Sequence, residues 1–256
     1  MSPSTAPEVR RWIAARGANP PDWSEDASRY EVTAEQDAWS AFLVLADGAG
    51  STAFPGEWAR ALVDAAEPAW LDGGIYEGIA GVRRDFDPLT DLEDDDDAFL
   101  FEELWYERGS AATLLLAKAV HDCGSTHCRV VCVGDSIAVV SAPGRLTSFP
   151  LRTSREFSNR TPTVRTAVTG LELKTWASDL PAGSMLVLAS DGIGKWILRH
   201  GERHGPERVH ALLRTFSDAD VPDVEDDVTL LILDVPGPAN AQDSVVDWVL
   251  RRLRVR

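Results

Sequence analysis

The sequence is poor in cysteine and in basic residues, and it contains no long apolar run. Its three cysteines, all between positions 123 and 132, do not make the disulfide framework of a small secreted protein. No apolar run approaches the roughly 20 residues that span a bilayer. Arg10, Arg11 and Arg16 interrupt the first 17 residues, where a signal peptide would carry its apolar core. These absences predict a reduced, cytoplasmic protein.

Acidic residues are in excess. The 41 acidic and 25 basic residues give a formal net charge of -16, a field that repels nucleic acid and anionic membrane, so we exclude both as partners. The 256 residues, 44% of them hydrophobic, suffice for one domain with a proper core. Because no repeat or linker divides the chain, we predict a single domain over residues 1–256. We also expect a monomer.

Apolar periodicity predicts grouped strands with helices between them. Strands are expected at 30–32, 39–46, 128–133, 137–141, 171–177, 185–189 and 228–235. Helices are expected at 7–17, from 55 to 66, once or twice within 77–107, at 193–198 and 206–216, and in an amphipathic tail at 242–253. Residues 110–120 fit a helix or a strand equally. Hairpin turns such as Pro143-Gly144 favour an α+β fold over a parallel doubly wound sheet.

Five aspartates fall at the ends of predicted strands or in the adjoining turns. They are Asp37, Asp47, Asp135, Asp191 and Asp226, and three of them have glycine next to them. One Asp-Gly after a strand is a common turn, but five such carboxylates are harder to explain as turns alone. Carboxylate oxygens are the ligands that Mg²⁺ and Mn²⁺ prefer, so we predict a metal centre. Two such ions sharing a carboxylate would lower the pKa of a bridging water.

The segments around these aspartates form an ordered set of short motifs. They are Gln36-Asp37-Ala38, Leu45-Ala46-Asp47-Gly48-Ala49-Gly50-Ser51, Gly109-Ser110-Ala111-Ala112-Thr113, Val133-Gly134-Asp135-Ser136, Leu188-Ala189-Ser190-Asp191-Gly192-Ile193 and Asp226-Asp227-Val228-Thr229. In order and spacing this set resembles the type 2C metal-dependent protein phosphatases, the PPM family, over about residues 30–235. The chain looks like a divergent bacterial-type member whose motif-bearing core has helical extensions at both ends.

The resemblance implies a four-layer α-β-β-α sandwich with two central, mostly antiparallel sheets, in which residues 110–118 form a strand. It also implies hydrolysis of phosphoserine or phosphothreonine in a protein substrate, by a water activated between two Mn²⁺ or Mg²⁺ ions, with a third ion as an option. Asp47 would bridge the two ions and Gly48 would contribute its carbonyl. The remaining implied ligands are Asp191 and Asp226 at one ion, Asp37 through water, and Asp135 together with Asp191 at the third ion.

The chain departs from the family pattern where substrate phosphate is bound. The family arginine five residues before the first aspartate is replaced by Val32, and Gln36 stands where an acid is usual. Ala49 and Lys195 replace a histidine or methionine and an acidic residue, respectively. Arg29 is the nearest candidate for the phosphate. Four arginines downstream are further candidates, namely Arg152, Arg155, Arg160 and Arg165.

Other kinds of site fit the sequence less well. A zinc site is suggested by His121, Cys123, His127, Cys128 and Cys132, but only Cys128 and Cys132 come near the paired spacing that zinc sites use. His200 and His204 indicate a solvated helix end, and the acidic run at 94–97 a solvated loop. Two alternative functions stay open. One is a phosphatase-like binding or regulatory module with weak or no turnover; the other is a metal-dependent nuclease, which the net charge disfavours.

Overall fold

The computed structural model describes residues 6–16, 24–35, 38–89, 98–158, 160–217, 220 and 226–237. Within these residues the chain forms two five-stranded antiparallel sheets, a two-stranded sheet and five α-helices. None of the helices formed by the described residues combines the length and the apolar character needed to cross a membrane.

Sheet one has the strand order β1-β12-β11-β7-β8. Its strands are β1 (Glu8–Ala14), β7 (Ile137–Ala142), β8 (Arg145–Phe149), β11 (Met185–Ala189) and β12 (Val228–Asp234). Strands β11 and β12 are apolar and almost fully buried because both faces of the sheet are covered. The Pro143-Gly144 turn joins β7 to β8 as predicted, since Ala142 pairs with Arg145.

Sheet two has the strand order β10-β6-β5-β3-β2. Its strands are β2 (Ala27–Glu35), β3 (Ala38–Ala46), β5 (Leu114–Asp122), β6 (Ser125–Val133) and β10 (Lys174–Asp179). The prediction of a strand at 39–46 is confirmed, and residues 110–120, which fit either structure on propensity, belong largely to β5. The small sheet pairs β4 (Ala111–Ala112) with β9 (Val164–Arg165).

Helices cover the outer face of each sheet. The helices are α1 (Pro55–Ala65), α2 (Ile75–Asp85), α3 (Ala98–Arg108), α4 (Asp191–His204) and α5 (Pro206–Arg214), with a 3-10 turn at Pro68–Asp72. One apolar cluster joins α1 and α2 to sheet two, a second lies between the sheets, and a third joins α4 and α5 to sheet one. These layers confirm the predicted α+β fold with α-β-β-α order.

The predicted N-terminal helix is wrong. Residues 8–14 form strand β1, which pairs with the whole of β12, from Glu8 opposite Asp234 to Ala14 opposite Val228. Val9 faces the cluster between the sheets, whereas Trp12 and Ala14 face the cluster under α4 and α5. That two-residue alternation between faces is the period of a strand. The acidic run at 93–97 and the predicted tail helix at 242–253 lie outside the described residues.

Candidate metal centre

Acidic residues from both sheets meet at one end of the sandwich. Asp47 follows β3, Asp191 follows β11 and starts α4, and Asp226 lies just before β12. Asp135 lies in the turn between β6 and β7. In the electrostatics of the site, Asp191, Asp226 and Asp135 all act on Asp47. The structure therefore brings together four of the five predicted carboxylates.

The backbone around Asp47 is fixed by pairing with the segment before β5. The Asp47 carbonyl accepts a hydrogen bond from Thr113 N at 2.8 Å, and Ala49 N donates to the Ala111 carbonyl at 2.9 Å. A Cβ at Gly48 would stand 2.7 Å from the Glu25 carbonyl oxygen and 2.9 Å from that of Pro55. Only glycine allows this close approach of three chain segments, so Gly48 holds Asp47 against them.

The charge of Asp47 is disfavoured in the protein alone. Burial raises the pKa of its carboxyl well above the usual range, and the nearby charges of Asp26, Asp191, Asp226 and Asp135 raise it further. Among the residues that the structure describes, none of these carboxylates forms an ion pair that would compensate the repulsion. A cation at this position would stabilise all of them together.

Asp26 is a carboxylate of the centre that the sequence analysis missed. It stands directly before β2, and Ala27 pairs with Ala46, so Asp26 lies next to Asp47 at the open end of the hairpin. Burial, followed by the charge of Asp227, raises the pKa of Asp26 to about 7. Its Oδ2 atom is buried and has no hydrogen-bond partner among the described residues. The hydroxyl groups of Thr229 and Ser190 favour the charged form of this carboxylate and lower its pKa, but burial outweighs them.

Asp227 fixes the segment that carries Asp26. Its two carboxylate oxygens accept the backbone N–H groups of Arg16 at 2.7 Å and of Glu25 at 2.6 Å. The side chain is buried, and Ser190 Oγ receives the N–H of Thr229 beside it at 3.0 Å. Asp227 thereby ties the chain before β2 to the start of β12 and orients Asp26 toward Asp47.

Asp191 and Asp135 complete the group from the side of sheet one. Burial raises the pKa of Asp191 to about 6, helped by Asp226 and Asp135, while Lys195 acts in the opposite direction. Asp135 is buried, and its Oδ2 accepts a hydrogen bond from Thr161 Oγ1 at 2.6 Å. Burial also raises the pKa of Asp135, against the effect of Thr161. This contact links the loop after β8 to the acidic centre.

The donor set fits hard divalent cations. All its side-chain donors are carboxylate oxygens, the ligands that Mg²⁺ and Mn²⁺ take. Neighbouring acids raise the pKa values of Asp26, Asp47 and Asp191, as expected where a compensating positive charge is missing. The buried, unpartnered Oδ2 of Asp26 points to the same need. No three His, Cys, Asp or Glu side chains of the described residues stand close enough to enclose one ion. Mg²⁺ usually keeps several waters and one or two protein carboxylates, so such a cage is not required.

Asp37 lies outside the described residues, so its predicted role stays a prediction. Its neighbours Glu35 and Ala38 pair with each other at one end of β3, and Ala46 is at the other end. The two ends of a nine-residue strand are roughly 26 Å apart at about 3.3 Å per residue. The described neighbours of Asp37 therefore lie far from Asp47.

The guanidinium group of Arg29 is bound by groups that do not belong to the acidic centre. One guanidinium nitrogen donates to the Ala66 carbonyl at the end of α1, and the other donates to Glu31 Oε1 at 2.8 Å. Both terminal nitrogens are thus engaged on the outer surface of sheet two. The prediction that Arg29 binds phosphate finds no support in this placement. Val32, where the family pattern suggested an arginine, lies on the same strand and is exposed.

The zinc candidates do not form a metal site in the described part of the chain. Cys128 and Cys132 are buried in β6, whereas Cys123 is exposed in the turn before it. His127 pairs with Asp179 at 2.6 Å, and His121 Nδ1 lies 2.8 Å from Thr126 Oγ1. All three cysteines are free thiols.

A signal for Asp26 was present in the sequence. Strands β2 and β3 are equally long and pair over their whole length, from Glu35 opposite Ala38 to Ala27 opposite Ala46, and the next step places Asp26 beside Asp47. The pair Glu25-Asp26 immediately before a strand is the same pattern that singled out the other acids. It was missed because β2 was expected to start at residue 30.

Comparison with known proteins agrees with the fold. A family model described as protein phosphatase 2C matches residues 22–225, well over half of the chain. No curated protein sequence shows significant similarity to it.

Solved structures of three bacterial proteins resemble the chain. The catalytic domain of the serine/threonine protein phosphatase PstP, in complex with two manganese ions, is 20% identical with a TM-score of 0.52, covering 90% of this chain and 99% of that chain. Stp1 from Staphylococcus aureus is 17% identical with a TM-score of 0.55, covering 93% and 98%. PppA, a regulatory component of T6SS in Pseudomonas aeruginosa, is 18% identical with a TM-score of 0.53, covering 89% and 97%. At these identities the likeness shows a shared fold.

Proposed function

The chain belongs to the protein phosphatase 2C family, and we propose that it is a metal-dependent phosphatase acting on phosphoserine and phosphothreonine in proteins. The observation that carries this proposal is the group of mutually destabilised carboxylates around Asp47. Such a group has little structural use in a protein alone because it costs stability. It suits an enzyme that binds divalent cations and a phosphorylated substrate.

Five residues would hold the ions. They are Asp47, Gly48 through its carbonyl, Asp135, Asp191 and Asp226. Bound Mn²⁺ or Mg²⁺ would supply Lewis-acid stabilisation of the phosphoryl charge and a nucleophile at neutral pH. The structure of PstP contains two manganese ions, and we propose two here, with Asp135 available for a third.

We further propose that Asp26, rather than Asp37, is the acid that supports Asp47. Asp26 lies at the acidic centre. The family usually has an acid directly before its first aspartate, and Glu25 stands there before Asp26, whereas Gln36 precedes Asp37. Its buried carboxylate, fixed by Asp227 through Glu25 N, would orient groups bound at Asp47. An arginine is still missing five residues earlier, where Pro21 stands.

Lys195 is the cation that we assign to the substrate phosphate. It lies one helical turn after Asp191 on α4 and lowers the pKa of that carboxylate. The family usually has an acidic residue at this position, so the phosphate would be approached from α4 rather than from β2. Lys195 would thus take the phosphate-binding role predicted for Arg29, whose guanidinium group is bound to the end of α1.

The alternative function is a phosphatase-like binding or regulatory module, which the engaged Arg29 favours. The two functions differ in turnover. We expect hydrolysis of p-nitrophenyl phosphate and of a phosphothreonine peptide to require Mn²⁺ or Mg²⁺ and to fail in Asp47→Asn. The exposed Asp64→Asn on α1 is the matched control. Tight phosphoprotein binding without turnover at saturating Mn²⁺ would establish the module, and full turnover in excess chelator would exclude a metal mechanism.

The partner in this proposal is a phosphorylated protein substrate, neither nucleic acid nor membrane. The free thiols of Cys123, Cys128 and Cys132 fit the predicted cytoplasmic setting. That setting, the single domain and the monomer stay predictions.

A further inference from the structure

A basic groove lies beside the acidic centre, between α4 and the loop that follows β8. It has a volume of about 690 Å³. Its charged lining consists of Arg155, Lys195, Arg199, Glu202 and Arg203. Four cations around one groove are unexpected in a chain with a net charge of -16. This local positive charge therefore indicates a surface for an anionic ligand.

The cations of this basic groove are not consumed by ion pairs. Among the residues that the structure describes, no carboxylate lies within ion-pair distance of Arg155, Lys195, Arg199 or Arg203. Glu202, the acid of the groove, instead accepts hydrogen bonds from Ser154 N and Ser154 Oγ, both at 2.7 Å. All four cations are exposed and available to a ligand.

The cations of α4 form a row that leads away from the acidic centre. Asp191, Lys195, Arg199 and Arg203 are spaced four residues apart, which places them along one side of the helix. At about 1.5 Å per residue, the three cations lie roughly 6, 12 and 18 Å along the helix from Asp191. Stabilisation of the helix dipole explains a cation in the last turn, but not Lys195 or Arg199.

The opposite wall of the groove is anchored at both ends. Ser154 is buried and bound to Glu202 on α4, and Thr161 bonds to Asp135 in the acidic centre. Phe157, between them, packs against the apolar cluster under α4. Arg155 is thus presented by a segment fixed to both the helix and the metal centre, which makes the groove a prepared surface.

We propose that the basic groove binds carboxylate or phosphate groups that flank the phosphorylated residue of the substrate. An extended peptide advances about 3.3 Å per residue, so these groups would stand roughly two to five residues from the phosphorylated residue. This proposal rests on the proposed function, because the acidic centre fixes where the phosphorylated residue sits. Lys195 would bind the phosphate of the phosphorylated residue, and Arg155, Arg199 and Arg203 would bind the acidic groups that flank it.

A peptide fits the groove better than a nucleic acid does. The groove has four cations, and the helix that carries three of them begins at Asp191 of the acidic centre, whereas a nucleic acid would present phosphates on both sides of any contact point. The net charge of -16 repels such an extended polyanion beyond the groove. A short acidic segment next to one phosphorylated residue matches both the extent and the sign of the charge.

The first test compares two phosphothreonine peptides on the same enzyme, one with glutamates two to five residues away and one with alanines. We expect wild type to have a higher kcat/KM for the acidic peptide than for the alanine peptide. The double variant Arg199→Ala, Arg203→Ala should lose roughly 1.4- to 5-fold of that preference per charge removed, the range of an exposed ion pair. Arg84→Ala, on α2 in the opposite helical layer, is the matched control. A loss of activity that affects both peptides equally cancels, because the readout is the ratio of the two kcat/KM values. An unchanged ratio in the double variant would overturn the proposal.

The second test measures binding without turnover, so that even a catalytically inactive protein can be tested. Fluorescence anisotropy in chelator would follow a labelled, unphosphorylated glutamate peptide, a doubly phosphorylated peptide and a single-stranded DNA oligonucleotide. Weaker binding of either peptide to the double variant supports the groove and shows whether carboxylate or phosphate is preferred. Binding only of DNA, or peptide binding that the variant leaves intact, would overturn it. Failure of the proposed function would instead appear as wild-type inactivity on both peptides at saturating Mn²⁺.

Discussion

Asp26 and Asp47 lie side by side at the open end of the hairpin formed by β2 and β3, because Ala27 pairs with Ala46 directly beneath them. Asp26 is the strongest neighbouring charge on Asp47, and it raises the pKa of that carboxyl. The hairpin thus brings two acids of the centre together by its register alone. Asp191, which follows β11, and Asp226, which precedes β12, come from the other sheet.

The first prediction concerns which acid supports Asp47. Asp26→Asn should lower Mn²⁺-dependent hydrolysis by about 10- to 100-fold, the usual cost of losing a partner of a metal ligand. Asp47→Asn should lower it by at least about 100-fold because a ligand itself is lost. Steady-state kinetics with p-nitrophenyl phosphate would measure both losses.

Asp37→Asn is the decisive comparison for this prediction, and we expect it to retain nearly full activity. An Asp37→Asn variant as inactive as Asp47→Asn, beside an active Asp26→Asn, would return the role to Asp37. A circular dichroism spectrum would confirm that each variant folds.

The fold could be predicted from the sequence because its core strands carry their own signals. Residues 39–46, 185–189 and 228–235 are apolar runs that end at or follow acidic turns, and local pattern identifies them. Strand β1 could not be identified in this way. Its partner β12 lies more than 200 residues downstream, so its strand conformation depends on long-range pairing that a local pattern does not record.

Four aspartates of the site could be predicted because they lie at the ends of apolar strands or in the adjoining turns, and three of them have glycine next to them. Asp26 was missed because its position depends on where β2 begins, which only the register with β3 decides. The basic groove was missed for a similar reason. Arg155 and Arg199 are far apart in sequence, and the hydrogen bonds between Ser154 and Glu202 bring their segments together.

The second prediction is that the metal-free protein loses stability as the pH rises. The pKa of Asp26 is about 7 in the folded protein, above its ordinary value of 3.8, so the folded state binds this proton more tightly. The resulting stabilisation is fully present below about pH 4 and is lost as the pH rises through 7. Asp191, with a pKa of about 6, acts in the same direction.

Thermal unfolding in chelator at pH 5 and pH 8 would check this. Asp26→Asn should show a smaller fall between the two pH values and should exceed wild type in stability at pH 8, whereas Asp64→Asn should follow wild type. Mn²⁺ should restore the stability of wild type at pH 8 because it binds only the folded state. Identical pH profiles for wild type and Asp26→Asn would contradict the prediction.

The third prediction concerns the close packing at Gly48. In Gly48→Ala the new Cβ would meet the Glu25 carbonyl oxygen at 2.7 Å, a contact that backbone must shift to relieve. We expect a loss of about 1–3 kcal/mol in the free energy of unfolding, the usual range for overpacking. Turnover should fall too, since the shift displaces Asp26 and Asp47.

Urea unfolding would measure the loss, with Gly170→Ala as the control. A Cβ at Gly170 would have no heavy atom within 4 Å, so that variant should be as stable as wild type. Equal unfolding free energies for Gly48→Ala and Gly170→Ala would show that the three segments at Gly48 are looser than the structure indicates.

The fourth prediction isolates a histidine that acts opposite to the acids. His210 is buried on α5 with Nδ1 3.2 Å from Ser141 Oγ, and burial lowers its pKa, followed by the charge of Arg214. The folded protein therefore binds this proton less tightly than the unfolded chain, whose histidine pKa is about 6.5. Stability from His210 is present above that pH and is lost as the pH falls through the folded pKa.

On acidification the raised pKa values of the acids stabilise the protein, whereas His210 destabilises it. The pH dependence of wild type alone therefore does not separate the two effects. The difference between wild type and His210→Gln does: wild type should be the more stable at pH 7.5, and its advantage should shrink at pH 5.5. Urea unfolding in chelator would measure it, with the exposed His204→Gln as the control. An advantage of wild type that is equal at both pH values would mean that His210 stabilises the fold by packing, without a coupled proton.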